Sequence, residues 1–544
     1  MKFSDTYLPM LAFQKNLTNG FYAMLSLPAT AMGFGLAVQI AALSWLLSTQ
    51  YGLEIRDIGL VWATGPLAGI IGQVVIGIIS DKVWIWNGRR RAFIWIGGVL
   101  AALGLLALPN IGVIQASMGL DGILGVAIVV SLTIDLAINV SFNPTRSIIA
   151  DVTPEGRPRT KGYTWMQTVS GSFGVLAYLI GAVWDNYILI YFGVILVFLF
   201  SVVPPFFIKE PKHLGHYGRG EKEAEEAEEA SRAARSQQKD RVNEASLTEI
   251  MKTILPLWGF LLYAIYGIFG RLGLIPRIPY YGFEIFCLAL TAGLIIYTMT
   301  RREEGLSREK DGLTGFRKVL AAHSFTWIGV QTMFIYMFVF VRYRVPELAD
   351  VEVDPEALVE AGELTAARIQ DINETIGRIV NWSFFSLNLV AAIIPVMILE
   401  PLAARFGRVR THTVSIAIMA LGYYGILQFG FTPAIIYAMM VIVGVGWAAT
   451  ISLPFAIMSQ KIPQSRMGLY MGLFNLSVVL PQFVSSFGVG EVVDDAENKG
   501  IIFIVAAITV GISALLWAFV KEPKDVFTKH PVLASNGIDD AAES

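Results

Sequence analysis

Apolar runs of about twenty residues recur along the whole chain, separated by short polar turns. A helix rises about 1.5 Å per residue, so about 20 largely apolar residues cross a hydrocarbon layer of ~30 Å. Helices are expected near 23–47, 58–79, 93–113, 122–150, 163–183 and 187–208, then 253–270 and 280–300, then 318–342, 380–402, 411–430, 433–459, 467–489 and 499–520. The pair at 253–300 is short for a crossing and contains Pro256, Pro276 and Pro279. Two polar stretches break the rhythm. Residues 209–250, with the run EKEAEEAEEASRAARSQQKDR, read as a solvated helix or flexible linker. Residues 343–378 read as a long loop on the other side, with a short amphipathic helix around 355–372. The expected organisation is a first six-helix bundle (1–208), a charged linker (209–250), an extra hairpin and loop (251–310), and a second six-helix bundle with a tail (311–544).

Composition agrees with this reading. The chain is 55% hydrophobic with a mean hydropathy of +0.59, and only 15% of its residues are charged, against about 25% in soluble domains. It is therefore an all-α integral membrane protein. A net charge of -2 with no basic domain leaves nothing to neutralise nucleic-acid phosphates. The single cysteine, Cys287, excludes an intrachain disulfide and a cysteine-built metal centre. No cleavable leader pattern precedes the first apolar run.

Lys and Arg concentrate on one side: Lys82 and Arg89 to Arg91, then Arg157, Arg159 and Lys161, then Arg405, Arg408 and Arg410. The opposite turns carry Asp121, Asp185 and the group Glu491, Asp494, Asp495, Glu497. By the positive-inside rule both termini are expected in the cytoplasm. No P-loop, HExxH helix or GxSxG elbow is present. An enzyme is not expected, and neither is direct ATP drive, which leaves an ion gradient as the energy source.

The fourth span carries the most informative residue. A charge near the bilayer centre costs at least about 2.5–3.5 kcal/mol on insertion scales, so such a group faces a partner or a cavity. Asp135 lies near that midpoint. Asp135, Asn139, Phe142 and Arg146 fall on one helical stripe, with Asp135 and Arg146 roughly 16 Å apart along the axis, too far to pair. Pro144 lies within the stripe. Gln39, Asn388, Asn475 and Gln482 bring amides into apolar spans, and Trp45, Trp62, Trp165, Trp327 and Trp447 bring flat apolar faces. Taken singly, each reads first as packing or anchoring. His323 reads as interfacial, and Glu284 as snorkelling or paired with Arg277. The glycine pairs Gly65/Gly69 and Gly444/Gly446 suit close helix approach.

Several motifs carry a resemblance. Between spans two and three stand Gly77-Ile-Ile-Ser-Asp81-Lys82 and Gly88-Arg89-Arg90-Arg91, lengthened by Val83 to Asn87. Span one reads FGLAVQIAALS, including Phe34, Gly35, Ala37 and Gln39, and span two has Trp62, Gly65, Pro66 and Gly69. Span four has Asp135, Asn139 and Arg146, then Asp151. The second half has Phe325 to Ile328, Ser452 to Ala456, Gly472 to Leu476, and Pro481-Gln482. The chain resembles the major facilitator superfamily, and within it the sucrose-transporter and glycoside-symporter family, most of all its bacterial disaccharide-uptake members. It lacks the external-loop histidine of the plant sucrose transporters, since no histidine precedes His213.

The resemblance implies a major facilitator fold of two six-helix bundles, with the hairpin added between them. It also implies a multi-pass protein of the bacterial inner membrane that moves a maltose- or sucrose-like disaccharide by alternating access. The coupling ion would be a proton, with no cofactor or metal and no required oligomer. Its contacts would be a small-molecule sugar and membrane lipid. Asp135 would couple the proton; Gln39, Asp135, Asn139, Arg146 and Asn475 would bind substrate. Gly77, Asp81, Gly88, Arg89, Arg90 and Arg91 would form a cytoplasmic gate. Sodium coupling, a non-transporting sensor or assembly role, and efflux of amphipathic compounds are the competing readings.

Overall fold

The computed structural model describes residues 12–70, 72, 83–86, 88–154, 157–210, 247–276, 278, 281–303, 308–349, 366–462 and 467–522. The first bundle comprises α1 (Asn19–Thr49), α2 (Ile55–Trp62, resuming after Ala63), α3 (Arg91–Ala107), α4 (Leu124–Val152), α5 (Arg157–Val183) and α6 (Asn186–Phe207). The hairpin is α7 (Trp258–Arg271) and α8 (Gly282–Thr300). The second bundle comprises α9 (Arg308–Arg344), α10 (Ala366–Ile394), α11 (Arg408–Phe429), α12 (Pro433–Lys461), α13 (Met467–Phe483) and α14 (Ile501–Trp517). Among the described residues eleven helices are long and apolar enough to cross a membrane, while Leu255–Arg271 and Ile501–Trp517 are shorter apolar helices. The protein is therefore multi-pass.

The eighth core span differs from its expected position. α10 begins at Ala366, fourteen residues before 380, and a π-helical turn at Pro395–Leu399 joins it to Glu400–Phe406. Residues 366–372, expected within a loop helix, thus belong to the membrane helix itself; residues 350–365 lie outside the described residues.

The two bundles share a plan. The first helix of each is the most enclosed, with 83% of the apolar window of α1 and 89% of that of α9 buried, against 39% for α6. In the first bundle α1 packs on α5 and α6, and α3 packs on α4 and α6. In the second, α9 packs on α14 and α13, and α11 packs on α12 and α14. Close approach rests on small residues. A Cβ on Gly97 of α3 would collide with Ser141 Oγ of α4, and one on Gly446 of α12 would stand 2.8 Å from the Ser415 carbonyl of α11.

The bundles also close their basic ends alike. After α6 the chain reads Phe207-Ile-Lys-Glu210-Pro-Lys; after α14 it reads Phe519-Val-Lys-Glu522-Pro-Lys. Glu210 accepts the N–H groups of Arg89, Arg90 and Arg91 at 2.8–2.9 Å. Glu522 accepts those of Arg408 and Val409 at 2.8 Å. Each carboxylate satisfies the open N–H groups at the start of a membrane helix, where the helix dipole favours an anion. Gly88 and Gly407 leave room, for a Cβ there would meet the carboxylate at 2.7 and 2.8 Å.

The hairpin packs on α9 and α13. Its turn lies at the acidic end, where Arg271 meets Glu491 at 3.4 Å and covers the Phe487 ring. Its other end supplies Glu303, which pairs with Lys318 of α9 at 3.5 Å and Lys461 of α12 at 3.1 Å. All three side chains are buried, and Lys461 also donates to the Lys521 carbonyl at 2.8 Å. The hairpin is thus bound to the second bundle through buried charge. The pairing expected of Glu284 with Arg277 lies outside the described residues; Glu284 itself is half-buried.

Candidate functional site

Asp135 lies where α1, α2 and α4 meet. Pro66 has no N–H to give to the Trp62 carbonyl, and α2 is interrupted at Ala63 just beside the acid. The interruption presents Thr64. Asp135 Oδ1 accepts from Gln39 Nε2 at 3.0 Å, and Thr64 Oγ lies 2.7 Å from Asp135 Oδ2. Gly65 brings the α2 backbone against the carboxyl, with its Cβ position 3.7 Å from Oδ2. Asp135 is only 6% exposed. Its two side-chain partners are uncharged. The acid is enclosed among α1, α2 and α4.

Asn139 donates to the Asp135 carbonyl at 2.8 Å. Arg146 is exposed, its guanidinium over the Phe142 ring at 4.2 Å. Asn475 is half-buried on α13. On the second bundle Trp327, Phe334 and Trp447 form an edge-to-face cluster, with centroids 5.4–6.0 Å apart. Trp447 Nε1 reaches Asn388 Oδ1 at 3.4 Å, and Gln482 donates to Gln331 at 3.1 Å. Trp62 donates to Ser44 Oγ, and Trp45 donates to the Asn373 carbonyl across the bundles at 2.6 Å.

The bundles meet at the acidic end. There Asn381 donates to Asn186 at 2.7 Å, Tyr178 packs edge-on against Phe384, and Gly59 lies against Ser486. Toward the basic end Thr164, Gln167, Thr168 and Ser172 of α5 are exposed together with Arg146. Polar and charged groups at membrane depth are costly to place against lipid, which sets this exposed polar stripe apart from the apolar surface around it.

Of the expected gate residues, Gly77 and Asp81 lie outside the described residues. Gly88 pairs with Ile85 in a tight turn in which exposed Trp86 takes a φ of 51°. Arg89, Arg90 and Arg91 present their backbone N–H groups to Glu210, and Arg90 Nε bonds Asp151 at 3.0 Å. Burial is the main influence on the Glu210 carboxyl and pushes its pKa up; the three backbone N–H groups pull it back.

His323 is not interfacial. It is buried, accepts from Trp327 Nε1 at 2.9 Å, and stacks on Phe474 with centroids 4.9 Å apart. Its position four residues before Trp327 on a helix turned toward the protein interior explains this. Sequence reasoning passed over Thr64, which stands inside the quoted Trp62–Gly69 motif, because hydroxyls are common in membrane helices. It also passed over Glu210 and Glu522, although the repeated Lys-Glu-Pro-Lys after each bundle was readable.

Residues 25–486 match the family model of the Major Facilitator Superfamily, and the chain belongs to that superfamily. Two curated relatives are the sucrose transport protein SUC4 of Arabidopsis thaliana and the general alpha-glucoside permease of Schizosaccharomyces pombe, each 28% identical. The matched stretches cover 28% and 29% of this chain and 31% of each relative, so the chain spans about a third of their length. These relatives agree with the resemblance to the sucrose-transporter family. The xylose transporter XylE from E. coli, in an inward open conformation, is 14% identical, covers 93% of this chain and 97% of its own, and has a TM-score of 0.54, a likeness of fold.

Proposed function

We propose that the chain is a secondary active transporter that carries a disaccharide or related glycoside, maltose- or sucrose-like, into the cytoplasm together with a proton. The observation that carries this reading is Asp135, a carboxyl enclosed among helices whose side-chain partners are both uncharged. A carboxylate there is costly to bury, and protonation removes that charge. Sugar that excludes water favours the neutral acid, so sugar and proton assist each other's binding reciprocally. The relatives named for sucrose and alpha-glucosides point to the substrate class. The exposed Arg146 and the half-buried Asn139 and Asn475 offer hydrogen-bonding groups, and Trp447 and Trp327 offer faces for sugar C–H surfaces. Gln39 acts through Asp135.

In this reading the basic end faces the cytoplasm of a bacterial inner membrane and both termini lie there. Arg90, Asp151 and Glu210 belong to the gate, in which Gly77 and Asp81 also take part.

Uptake of a panel of labelled sugars into proteoliposomes under an imposed pH gradient tests the proposal. Accumulation of an α-glucoside that collapses with the proton gradient at clamped sodium supports it. Accumulation that follows sodium instead overturns proton coupling. Absence of any sugar uptake by folded protein overturns the transport reading and favours a sensing or assembly role.

A further inference from the structure

We infer that Thr64 receives the Asp135 proton: the carboxyl donates from Oδ2 to the Thr64 hydroxyl, and that hydroxyl donates onward to the Val61 carbonyl. This deepens the reading of Asp135 as the coupling acid and rests on it. Thr64 Oγ lies 2.6 Å from the Val61 carbonyl oxygen and 2.7 Å from Asp135 Oδ2. A hydroxyl has one proton, and a carbonyl oxygen only accepts. The Val61 contact therefore takes the Thr64 proton. The contact with Oδ2 then needs a proton from the other side, and only a protonated carboxyl has one to give. Were Asp135 ionised, the single Thr64 proton would leave one of two short oxygen–oxygen contacts with no hydrogen between them. The remaining oxygen, Oδ1, accepts from Gln39 Nε2, as the C=O of a neutral acid does. A carboxyl protonated on Oδ2 satisfies all three contacts at once.

Among the described residues no charge nearby supports the ionised form. Among the described residues α1 carries no Asp, Glu, Lys, Arg or His. The charges of α2, Arg56 and Asp57, lie at its acidic end, and the one charge of α3, Arg91, lies at its basic start. The helix Ile111–Met118 that packs on α4 is uncharged, and the charged residues of α5, Arg157, Arg159 and Lys161, lie in its first turns. On α4 itself Arg146 and Asp151 are three turns or more away. Thr64 is thus a positioning residue that sets how tightly the acid holds its proton.

The polarity of the bond makes the test decisive in sign. Infrared difference spectra of the reconstituted protein follow the C=O stretch of a protonated carboxyl, assigned to Asp135 by its loss in Asp135→Asn. With Thr64 as acceptor, Thr64→Val removes a partner of the neutral acid, and half-titration of that band moves down by about one pH unit, an about tenfold weaker hold on the proton. Thr64→Ser restores it. If Thr64 instead donates to a carboxylate, Thr64→Val moves half-titration up. That outcome overturns the inference, as does an unchanged titration or no such band at any pH where the protein is folded. Should Thr64→Val not fold, Thr64→Ala is read in the same way. A downward shift in protein whose sugar accumulation survives Asp135→Asn would uphold the bond and overturn only the coupling role.

Discussion

In the first bundle Glu210 reaches back to the start of α3, and in the second Glu522 reaches back to the start of α11. The same short motif after the last helix of each bundle makes the same contact. The membrane centres do not match in this way. The first bundle holds a carboxyl bonded by Gln39 and Thr64. The second holds an aromatic and amide wall, with Trp327, Phe334 and Trp447 in edge contact and Asn388, Gln331 and Gln482 beside them. The ends of the helices obey a constraint common to both bundles, because unpaired N–H groups must be satisfied wherever a helix begins. The centres are free of it and have taken up separate chemistry. The proposed division of labour is ionic coupling in the first bundle and sugar stacking in the second.

The largest expected effect breaks that division at its ionic side. Asp135→Asn is neutral and cannot release a proton, so uphill accumulation in liposomes should fall to background while sugar exchange at equal concentrations persists. Accumulation like that of wild type would place coupling elsewhere. Next comes the hairpin, which only the second bundle carries. Glu303→Gln strands two buried lysines, and breaking such a buried ionic group costs about 3–5 kcal/mol. Thermal unfolding in detergent should show this as a marked loss of stability, larger than for any capping variant.

Glu210→Gln and Glu522→Gln sharpen the comparison of the ends. Each takes the charge assistance from these hydrogen bonds, the difference per bond between about 1.5–3 and about 0.5–1.5 kcal/mol. Equal losses in melting temperature would show the caps to be equivalent; a loss confined to one would show that the repeated motif serves one bundle only. Trp447→Ala addresses the aromatic side. It should raise the sugar concentration for half-maximal uptake by about tenfold, the equivalent of ~1.4 kcal/mol, with the ratio of protons to sugar unchanged. A changed ratio would mean that the bundles do not divide the two tasks.

The smallest effect is a pH slope. Burial raises the Glu210 pKa above the ordinary 4.5, so the folded state holds that proton more tightly than the unfolded chain. Its contribution to stability is complete below about pH 4.5 and is lost as pH rises through the raised value. Glu210→Gln should flatten the melting temperature over that window, and an unchanged slope would assign it to another group.

The sequence by itself indicated an all-α membrane fold, most of its spans, and the isolation of Asp135 in an apolar helix. Each of these follows from hydropathy over about twenty residues, a local property that any bilayer imposes. It also contained the repeated Lys-Glu-Pro-Lys motif that caps both bundles. The tertiary structure alone decided which groups meet. Gln39 and Thr64 stand 96 and 71 residues from Asp135, and their meeting depends on the rotation of three helices and on the break at Ala63. The same cause placed His323 among buried rings and joined Glu303 to Lys318 and Lys461. Hydropathy sets how deep a residue lies in the membrane, but packing between helices sets the direction it faces, and partners are chosen by direction.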